Sequence, residues 1–342
     1  MSGVVAVLVA DRSQAVRAVL RRLLDEAPGI EVIAAVADGR EVAHLTVEKK
    51  PLAVVLDLDL PSLSGRALVE RITSRSRVPI FVLAPRRDSA SARIAMGLSN
   101  LGVAAVFHKP ETPQEWKSLG RILSEAVRQV RPGVSESGAS SVETDDTPVI
   151  SRELRYVAIG ASTGGPGAIF DMLAAIGRPP KLGFAVVQHI ADGFETALTE
   201  WLAAELGIDV AVARHGEQLE MGSVRIAPGD QHLTIDRGGR LLLDRHGAPV
   251  GGHRPSVEVL FKSLLAQPAR RVAAVLLSGM GSDGAAAMAE LRLADVLTVA
   301  QDEGSCAVFG MPRAALEGRA AALVLAPPQI GRFLARAGGG QG

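Results

Sequence analysis

The chain has 342 residues, more than one ordinary domain holds, which predicts two domains. It carries 37 basic and 37 acidic residues, so its formal net charge is zero, which disfavours a nucleic-acid-binding protein. With 47% hydrophobic and 22% charged residues the composition excludes a largely disordered chain, and a single cysteine excludes an internal disulfide.

Membrane insertion is not expected. No apolar run approaches the roughly 18 residues that a membrane span needs. The apolar start Val4 to Ala10 is interrupted by Asp11 and has no basic residues ahead of it, so it predicts a first strand rather than a signal peptide. We therefore expect a soluble protein in the cytoplasm, a reducing compartment that fits the lone cysteine.

Residues 1–130 alternate short apolar strands with helices. The strands are predicted in VVAVLVA, EVIAAVA, AVVLDLDL, PIFVLA and AAVFHK. The first helix starts after Ser13 as its N-cap, and another is predicted over SASARIAMGLSNLG. This alternation predicts an α/β fold, a flavodoxin-like doubly wound parallel sheet with helices on both faces.

Residues 131–150, RPGVSESGASSVETDDTPVI, form a predicted flexible linker. They are rich in Ser, Gly, Asp, Glu and Thr, and such a composition buries too little apolar surface to offset the entropy of ordering.

Residues 151–342 restart the strand and helix alternation. Strands are predicted in RYVAIGAS, FAVVQH, VRIAPG, AAVLLSG and VLTVAQ, and helices in PGAIFDMLAAIG, SVEVLFKSLL and GAAAMAELRLA. HLTIDRGGRLLLDR predicts a β-hairpin that turns at Gly238 and Gly239. The second domain is therefore a doubly wound, mostly parallel α/β domain.

Three charged residues of the first domain, Asp11, Asp57 and Lys109, each stand at the carboxyl end of a predicted strand. Those ends converge on one edge of a parallel sheet, where ligands bind. A carboxylate that accepts a phosphoryl group needs nearby positive charge to neutralise the phosphoryl oxygens. The constellation favours a phosphoryl-accepting site over solvated strand ends.

LDLDLPSLSG followed by HKP gives residues 1–130 a resemblance to the receiver domain of response regulators. The resemblance implies Asp57 as phospho-acceptor, Asp11 as a magnesium-site residue together with Asp57, and Lys109 as the basic partner.

Two positions depart from the receiver pattern. Receivers usually carry a second acidic residue where this chain has Arg12, and Ser or Thr where it has Ala84. An arginine repels a divalent cation, so we expect Arg12 to pair with Asp57 and to replace part of the metal's charge. This predicts a degenerate site with weakened or absent phosphorylation; the alternative is a receiver that still works slowly.

Three polar turns of the second domain also follow predicted strands. Ser162 lies in GASTGGP, His189 ends VVQH and Asp283 lies in LSGMGSDGAA. Taken alone, Ser162 fits a helix N-cap, a phosphate cradle or a nucleophile, His189 a structural histidine, and Asp283 the cap of the helix after it. Together they fit acyl transfer, which needs a hydroxyl nucleophile, a base with a pKa near 7 and a carboxylate that orients the base.

Six segments in one order over residues 152–320, GASTGGP, VVQH, IAPGDQH, HRPSVEVLF, LSGMGSDGAA and QDEGSCAVFGMP, resemble the catalytic domain of chemotaxis protein-glutamate methylesterases. The resemblance implies Ser162 as nucleophile, His189 as general base and then acid, and Asp283 as the residue that orients it. Thr163 and Met280 are assigned oxyanion or positioning roles. No cofactor is expected for catalysis, and no zinc site, because no Cys/His cluster has metal-ligand spacing.

Three further residues of these segments carry predictions. Arg254 has two open roles, as a ligand of a substrate carboxylate or as the ion-pair partner of Glu258. Ser256 is predicted to be the N-cap of the helix that follows it. Cys306 is predicted to be a small buried residue rather than a nucleophile.

The implied activity is hydrolysis of glutamate γ-methyl esters on bacterial chemoreceptors, with release of methanol, and deamidation of receptor glutamines. The implied partners are methyl-accepting chemoreceptors and a histidine kinase as phosphodonor, and the receiver domain is implied to regulate the esterase. Two alternatives stay open: a non-catalytic two-domain signalling or docking protein, and an esterase that acts on a non-chemotactic partner.

Overall fold

The computed structural model describes residues 4–76, 78–85, 94–129, 153–177, 181–191 and 193–338. The chain separates into two compact units, Met1–Ser135 and Glu136–Gly342. The predicted linker at 131–150 lies outside the described residues, as does the first part of the helix predicted over 89–102. No helix in the described part of the chain is both long and apolar enough to cross a membrane.

The first unit is a five-stranded parallel sheet with helices, in the strand order β2-β1-β3-β4-β5. Its strands are β1 (Val5–Ala10), β2 (Ile30–Val36), β3 (Ala53–Asp57), β4 (Ile80–Ala84) and β5 (Val103–His108). The helices that lie wholly within the described residues are α1 (Gln14–Asp25), α2 (Gly39–Lys49), α3 (Gly65–Thr73) and α4 (Pro113–Gln129). The predicted doubly wound α/β fold of this unit is confirmed.

Local sequence explains where these elements start. The Ser13 hydroxyl accepts a hydrogen bond from the N–H of Val16 and so begins α1 as predicted, and the Asp38 carboxylate caps α2 in the same way. All five residues of β3 and of β4 are buried, as expected of central parallel strands covered on both faces.

The second unit is built on a seven-stranded parallel sheet in the order β14-β13-β12-β6-β7-β9-β8, with a separate antiparallel pair, β10-β11. The strands are β6 (Tyr156–Ala161), β7 (Gly183–Gln188), β8 (Asp209–Val212), β9 (Ser223–Ile226), β10 (His232–Ile235), β11 (Leu241–Asp244), β12 (Val272–Leu276), β13 (Leu297–Gln301) and β14 (Leu323–Leu325). The helices are α5 (Gly165–Ala174), α6 (Phe194–Leu206), α7 (Val257–Ser263), α8 (Ala285–Leu293), α9 (Met311–Glu317) and α10 (Pro327–Ala337). This confirms the predicted mostly parallel α/β domain and its hairpin.

An apolar core lies at the centre of this sheet, beneath the loops that follow β6 and β12. Strands β6 and β12 pair directly, and their residues Ala158 and Leu276 are fully buried. They join one apolar cluster with Leu260 and Phe261 of α7 and Met288 of α8. The loops that leave the carboxyl ends of β6 and β12 therefore start from a well-packed base.

The contact between α5 and α10 depends on a glycine. A methyl group added to Gly331 of α10 would lie 2.1 Å from the Met172 carbonyl oxygen of α5. We expect Gly331→Ala to destabilise the fold by about 1–3 kcal/mol, because backbone cannot move aside as a side chain does. The midpoint of thermal unfolding of the full chain measures the change.

Gly304→Ala is the matched control for that substitution. Gly304 is exposed, and an added methyl group would come no closer than 3.4 Å to its nearest neighbour, an Asp302 oxygen. If the Gly331→Ala protein unfolds at the same temperature as the control, α5 and α10 accommodate the added methyl group without loss of stability.

Candidate active site

Strand register brings Ser162 and His189 side by side. Ala161 and Gln188, the last residues of β6 and β7, are register partners, and the His189 N–H continues the ladder with a 2.9 Å bond to the Ala161 carbonyl. Ser162 and His189 each come one residue later, and adjacent strands lie about 4.8 Å apart. The two residues thus meet at the carboxyl edge of the sheet, as predicted from the sequence.

Asp283 arrives from the loop after β12 and holds the imidazole. Its Oδ2 lies 2.9 Å from His189 Nε2. The same carboxylate accepts bonds from the Ser256 hydroxyl at 2.8 Å and from the N–H groups of Val257 at 2.8 Å and Glu258 at 3.0 Å. It is fixed from four directions, so the His189 ring is held at a defined point.

The pKa of Asp283 is lowered to about 2. Burial works in the opposite direction, but the hydrogen bond and charge of His189 and the N–H groups of Glu258 and Val257 outweigh it. Asp283 therefore remains a carboxylate over the whole range in which an imidazole gains or loses its proton.

The other nitrogen of the imidazole is the one left for a reacting group. Since Nε2 is engaged with Asp283, only Nδ1 is open, and it is buried without a hydrogen-bond partner among the described residues. The Ser162 hydroxyl also makes no hydrogen bond within the described ranges. Bonds between nucleophile and base are often long in the absence of substrate and tighten when it binds.

The turn that carries Ser162 is held by neighbouring side chains. The Ser162 carbonyl accepts bonds from Gln188 Nε2 at 2.7 Å and from the Gly165 N–H at 2.8 Å. Gly164 has a φ of +82°, a left-handed conformation that favours glycine and starts α5. The serine is thereby presented at a sharp strand-to-helix turn.

Two backbone N–H groups flank this turn. Those of Thr163 and Met280 donate to no acceptor in the part of the chain that the structure describes, while the Thr163 carbonyl is tied to the Ser278 hydroxyl at 2.7 Å. The loop that carries Met280 lies close to Ser162. A methyl group added to Gly279 would be only 2.7 Å from the serine Cβ. Unpaired N–H groups so placed are suited to an oxyanion.

Ser256 is the N-cap residue of α7, as predicted, whereas the alternative that Asp283 caps the helix after it is not observed. Asp283 does not cap the helix that follows it; it takes the N–H groups at the start of α7 instead. Ser256 stands at the N-cap position of α7, but its hydroxyl donates to Asp283 and accepts nothing from the helix. The carboxylate outcompetes the hydroxyl because a charged acceptor forms the stronger bonds.

Of the two roles left open for Arg254, the ion pair with Glu258 is not observed. The guanidinium binds Asp230 instead, with Nε 2.8 Å from Oδ1, and it donates to the Gly247 carbonyl at 2.8 Å. Glu258 accepts from the Ala287 N–H at 2.9 Å. Cys306 is buried as predicted, and burial, followed by Asp302 and Glu303, raises the pKa of its thiol.

Sequence reasoning missed His253. Its ring lies flat on that of His189, with centroids 4.0 Å apart and planes 4° from parallel. Its position in HRPSVEVLF was the only available signal, since the residue falls in a loop with no periodic pattern.

In the first unit, Lys109 joins two carboxylates. Asp11 and Asp57 are almost completely buried, and Lys109 Nζ lies 2.8 Å from Asp11 Oδ2 and 2.5 Å from Asp57 Oδ2. The three residues follow or end β1, β3 and β5, so the structure brings them together as predicted.

The predicted contact between Arg12 and Asp57 is absent. Arg12 Nη1 instead lies 2.8 Å from Asp59 Oδ2, and both side chains are more than three-fifths exposed. Lys109 already neutralises the charge of Asp57. Arg12 therefore pairs with the exposed carboxylate of Asp59. Ala84 ends β4 as a buried residue, and its carbonyl accepts from the Lys109 N–H at 2.8 Å.

These residues do not fit a magnesium site well. Magnesium prefers carboxylate oxygens that are free to coordinate it, but the two buried carboxylates are already bridged by an ammonium group and a guanidinium occupies the next position. Within the described ranges no group of three or more His, Cys, Asp or Glu residues is arranged to hold a metal ion.

Comparison with known proteins adds two family matches. The CheB methylesterase family model matches residues 157–334, and the response regulator receiver domain model matches residues 7–119. The six segments and the LDLDLPSLSG pattern thus lie in the regions that these two families cover.

Individual relatives extend over nearly the full chain. A protein-glutamate methylesterase/protein-glutamine glutaminase of Anaeromyxobacter dehalogenans is 38% identical, with 96% of each chain covered, and one of Hahella chejuensis is 35% identical, with 96% of this chain and 97% of the relative covered. The crystal structure of the Thermotoga maritima CheB methylesterase catalytic domain matches with a TM-score of 0.51 and 31% identity, covering 53% of this chain and 97% of that domain.

Proposed function

The chain belongs to the CheB methylesterase family, and from that membership we propose that Ser162, His189 and Asp283 hydrolyse glutamate γ-methyl esters on methylated chemoreceptors. The protein is a carboxylic ester hydrolase, a protein-glutamate methylesterase with a receiver domain ahead of its catalytic domain. The observation that carries the proposed triad is the hydrogen bond between His189 and Asp283, one strand away from Ser162.

In the first step the Ser162 oxygen attacks the ester carbonyl carbon while His189 Nδ1 takes the hydroxyl proton. Asp283 holds Nε2 protonated and stabilises the imidazolium that forms. The ester C=O becomes a tetrahedral oxyanion, which the N–H groups of Thr163 and Met280 stabilise.

Collapse of that intermediate breaks the bond to the methoxy oxygen, and the imidazolium protonates it, so methanol leaves. Water then attacks the acyl-serine with His189 again as base, which frees glutamate and regenerates the hydroxyl. The same steps on a glutamine side chain release ammonia in place of methanol, which is deamidation. No cofactor takes part in this sequence.

The product changes the charge of the substrate. Each hydrolysis replaces a neutral ester by a carboxylate on a receptor helix, and like charges on neighbouring helical positions repel. This is the physical route by which the reaction contributes to chemotactic adaptation.

The receiver domain regulates the esterase, and a histidine kinase is the phosphodonor that its class implies. We expect weak phosphorylation of Asp57 because the magnesium ion that assists phosphoryl transfer lacks one of its usual carboxylate ligands, at the position of Arg12. Arg12, paired with Asp59, adds positive charge where receivers present a second carboxylate.

Arg12→Asp is expected to raise magnesium affinity by about tenfold or more, because it removes a repelling cation and adds an oxygen ligand. Calorimetric titration of the full chain with magnesium chloride measures the affinity, and mass spectrometry after treatment with acetyl phosphate measures the phosphate on Asp57.

Arg22→Asp, in the last turn of α1, is the control, since it makes the same charge change away from the strand ends. Receiver-like magnesium affinity in the unmodified chain would contradict the degenerate site.

Methanol release from a methylated chemoreceptor fragment tests the proposed activity, with the Ser162→Ala protein as the blank. Release above the blank supports the esterase and its substrate. Release equal to the blank from several methylated receptors would favour a docking role or an ester on another protein. Ammonia release from an unmethylated, glutamine-bearing fragment tests deamidation in the same way.

A further inference from the structure

The two histidine rings at the active site are closely stacked. With centroids 4.0 Å apart and planes 4° from parallel, His253 covers one face of the His189 imidazole. Offset or edge-on pairs have centroids about 4.5–7 Å apart. The hydrogen bond to Asp283 fixes one ring atom, but the terminal torsion of a histidine is broad, so a single bond does not fix the ring plane.

The backbone that carries His253 is itself fixed. Val250 and His253 exchange two bonds, from the Val250 N–H at 3.1 Å and from the His253 N–H at 3.0 Å. Between them Gly251 and Gly252 have φ values of +60° and +86°, the left-handed values that a tight type I′ turn requires at both central positions. On the other side Arg254 is tied to Asp230.

Electrostatics favour an uncharged His253. Burial lowers its pKa first, the charge of His189 lowers it further, and Asp283 opposes both. Among the described residues, His189 and Asp283 are the titratable groups that act on the pKa of His253. A neutral ring that faces the His189 imidazolium offers its π electrons to the cation, whereas a second imidazolium would repel it.

We propose that His253 is a positioning residue for His189: its stacked ring holds the imidazole in the plane in which Nε2 bonds Asp283 and Nδ1 is left open for the serine. The inference rests on the proposed function in that it needs His189 to be the base. His253 takes no proton in the reaction and acts only through the His189 ring.

The test measures the rate at which an alkyl fluorophosphonate labels Ser162 in the full chain, followed by intact mass. This probe reports activation of the serine whatever the natural substrate is. We expect His253→Ala to slow labelling by about 10- to 100-fold, the cost of a catalytic group displaced by about 1 Å, and His253→Phe to remain within about fivefold of the original rate. The acid limb of the rate against pH should coincide in the Phe variant and the original chain, since phenylalanine keeps the stack and has no proton to exchange.

His246→Ala is the matched control, because His246 is an exposed histidine of the neighbouring loop. Thermal unfolding checks that each variant is folded; His253→Asn, which cannot cover the ring, replaces the alanine variant if that one is unfolded. Labelling of the Ala and Asn variants at the original rate would overturn the inference. So would a Phe variant as slow as Ala, because the ring nitrogens rather than the stack would then matter. Failure of the original chain to label above Ser162→Ala would instead overturn the proposed triad.

Discussion

Ser162→Ala is expected to reduce methanol release from a methylated receptor fragment by about 10⁴- to 10⁶-fold, the range over which loss of a serine nucleophile acts in such triads. The acyl-serine cannot form without the hydroxyl, while the imidazole and the two free N–H groups remain. The residual rate, measured as methanol per enzyme at saturating substrate, reports what those groups contribute alone.

Ser282→Ala serves as the matched control for that loss. Ser282 is an exposed serine of the loop that carries Asp283, and among the described residues its one hydrogen bond is from the Ala285 N–H to its carbonyl. The control should keep its activity. An active Ser162→Ala protein would remove the serine from the mechanism and return it to the role of a turn residue.

Asp283→Asn is expected to lower kcat by about 10³- to 10⁴-fold, because an amide cannot hold the imidazole in the required tautomer. It should also lower stability: the carboxylate accepts four bonds, from His189, Ser256, Val257 and Glu258, and an asparagine has one acceptor oxygen. Kinetics and thermal unfolding of the same samples separate the two losses. A folded variant with unchanged kcat would exclude Asp283 from catalysis.

The pH dependence of that substitution has a definite sign. The pKa of Asp283 in the folded chain is about 2, below its ordinary value of 3.8. A lowered carboxyl pKa stabilises the folded state above pH 4 and loses this contribution as pH falls toward 2. The stability difference between the original chain and the variant should therefore shrink as the pH falls from 4 toward 2.

Most of the fold was predictable because many of its strands are continuous apolar runs that are followed by polar or turn-forming residues. Helices α6, α9 and α10 were not predicted: α6 begins after Gly193 and α9 after Gly310, both without a side-chain cap, and α10 begins with two prolines. Strands β8 and β14 have four and three residues and lie at the edges of the sheet, where short pieces carry little pattern.

The site also contains some features that the sequence predicted and others that it did not. Ser162, His189 and Asp283 were predictable because each stands just after a strand of one parallel sheet, and such ends converge. The partners of Arg12 and Arg254 were not, because the choice between Asp57 and Asp59, or between Glu258 and Asp230, is a matter of side-chain reach that no sequence pattern records. The stacking of His253 on His189 was not predictable either, because it depends on the conformation of the turn at Gly251 and Gly252.

Asp283 both orients His189 and binds the first N–H groups of α7. This double role predicts the order in which active-site residues would be lost if the enzyme lost its activity during evolution. Loss of Ser162 removes catalysis at little structural cost, whereas loss of Asp283 also strips the hydrogen bonds from Ser256, Val257 and Glu258. A lineage drifting toward a purely regulatory role would therefore lose the serine before the aspartate. In inactive descendants Asp283 would be retained for its structural role after catalysis had been lost.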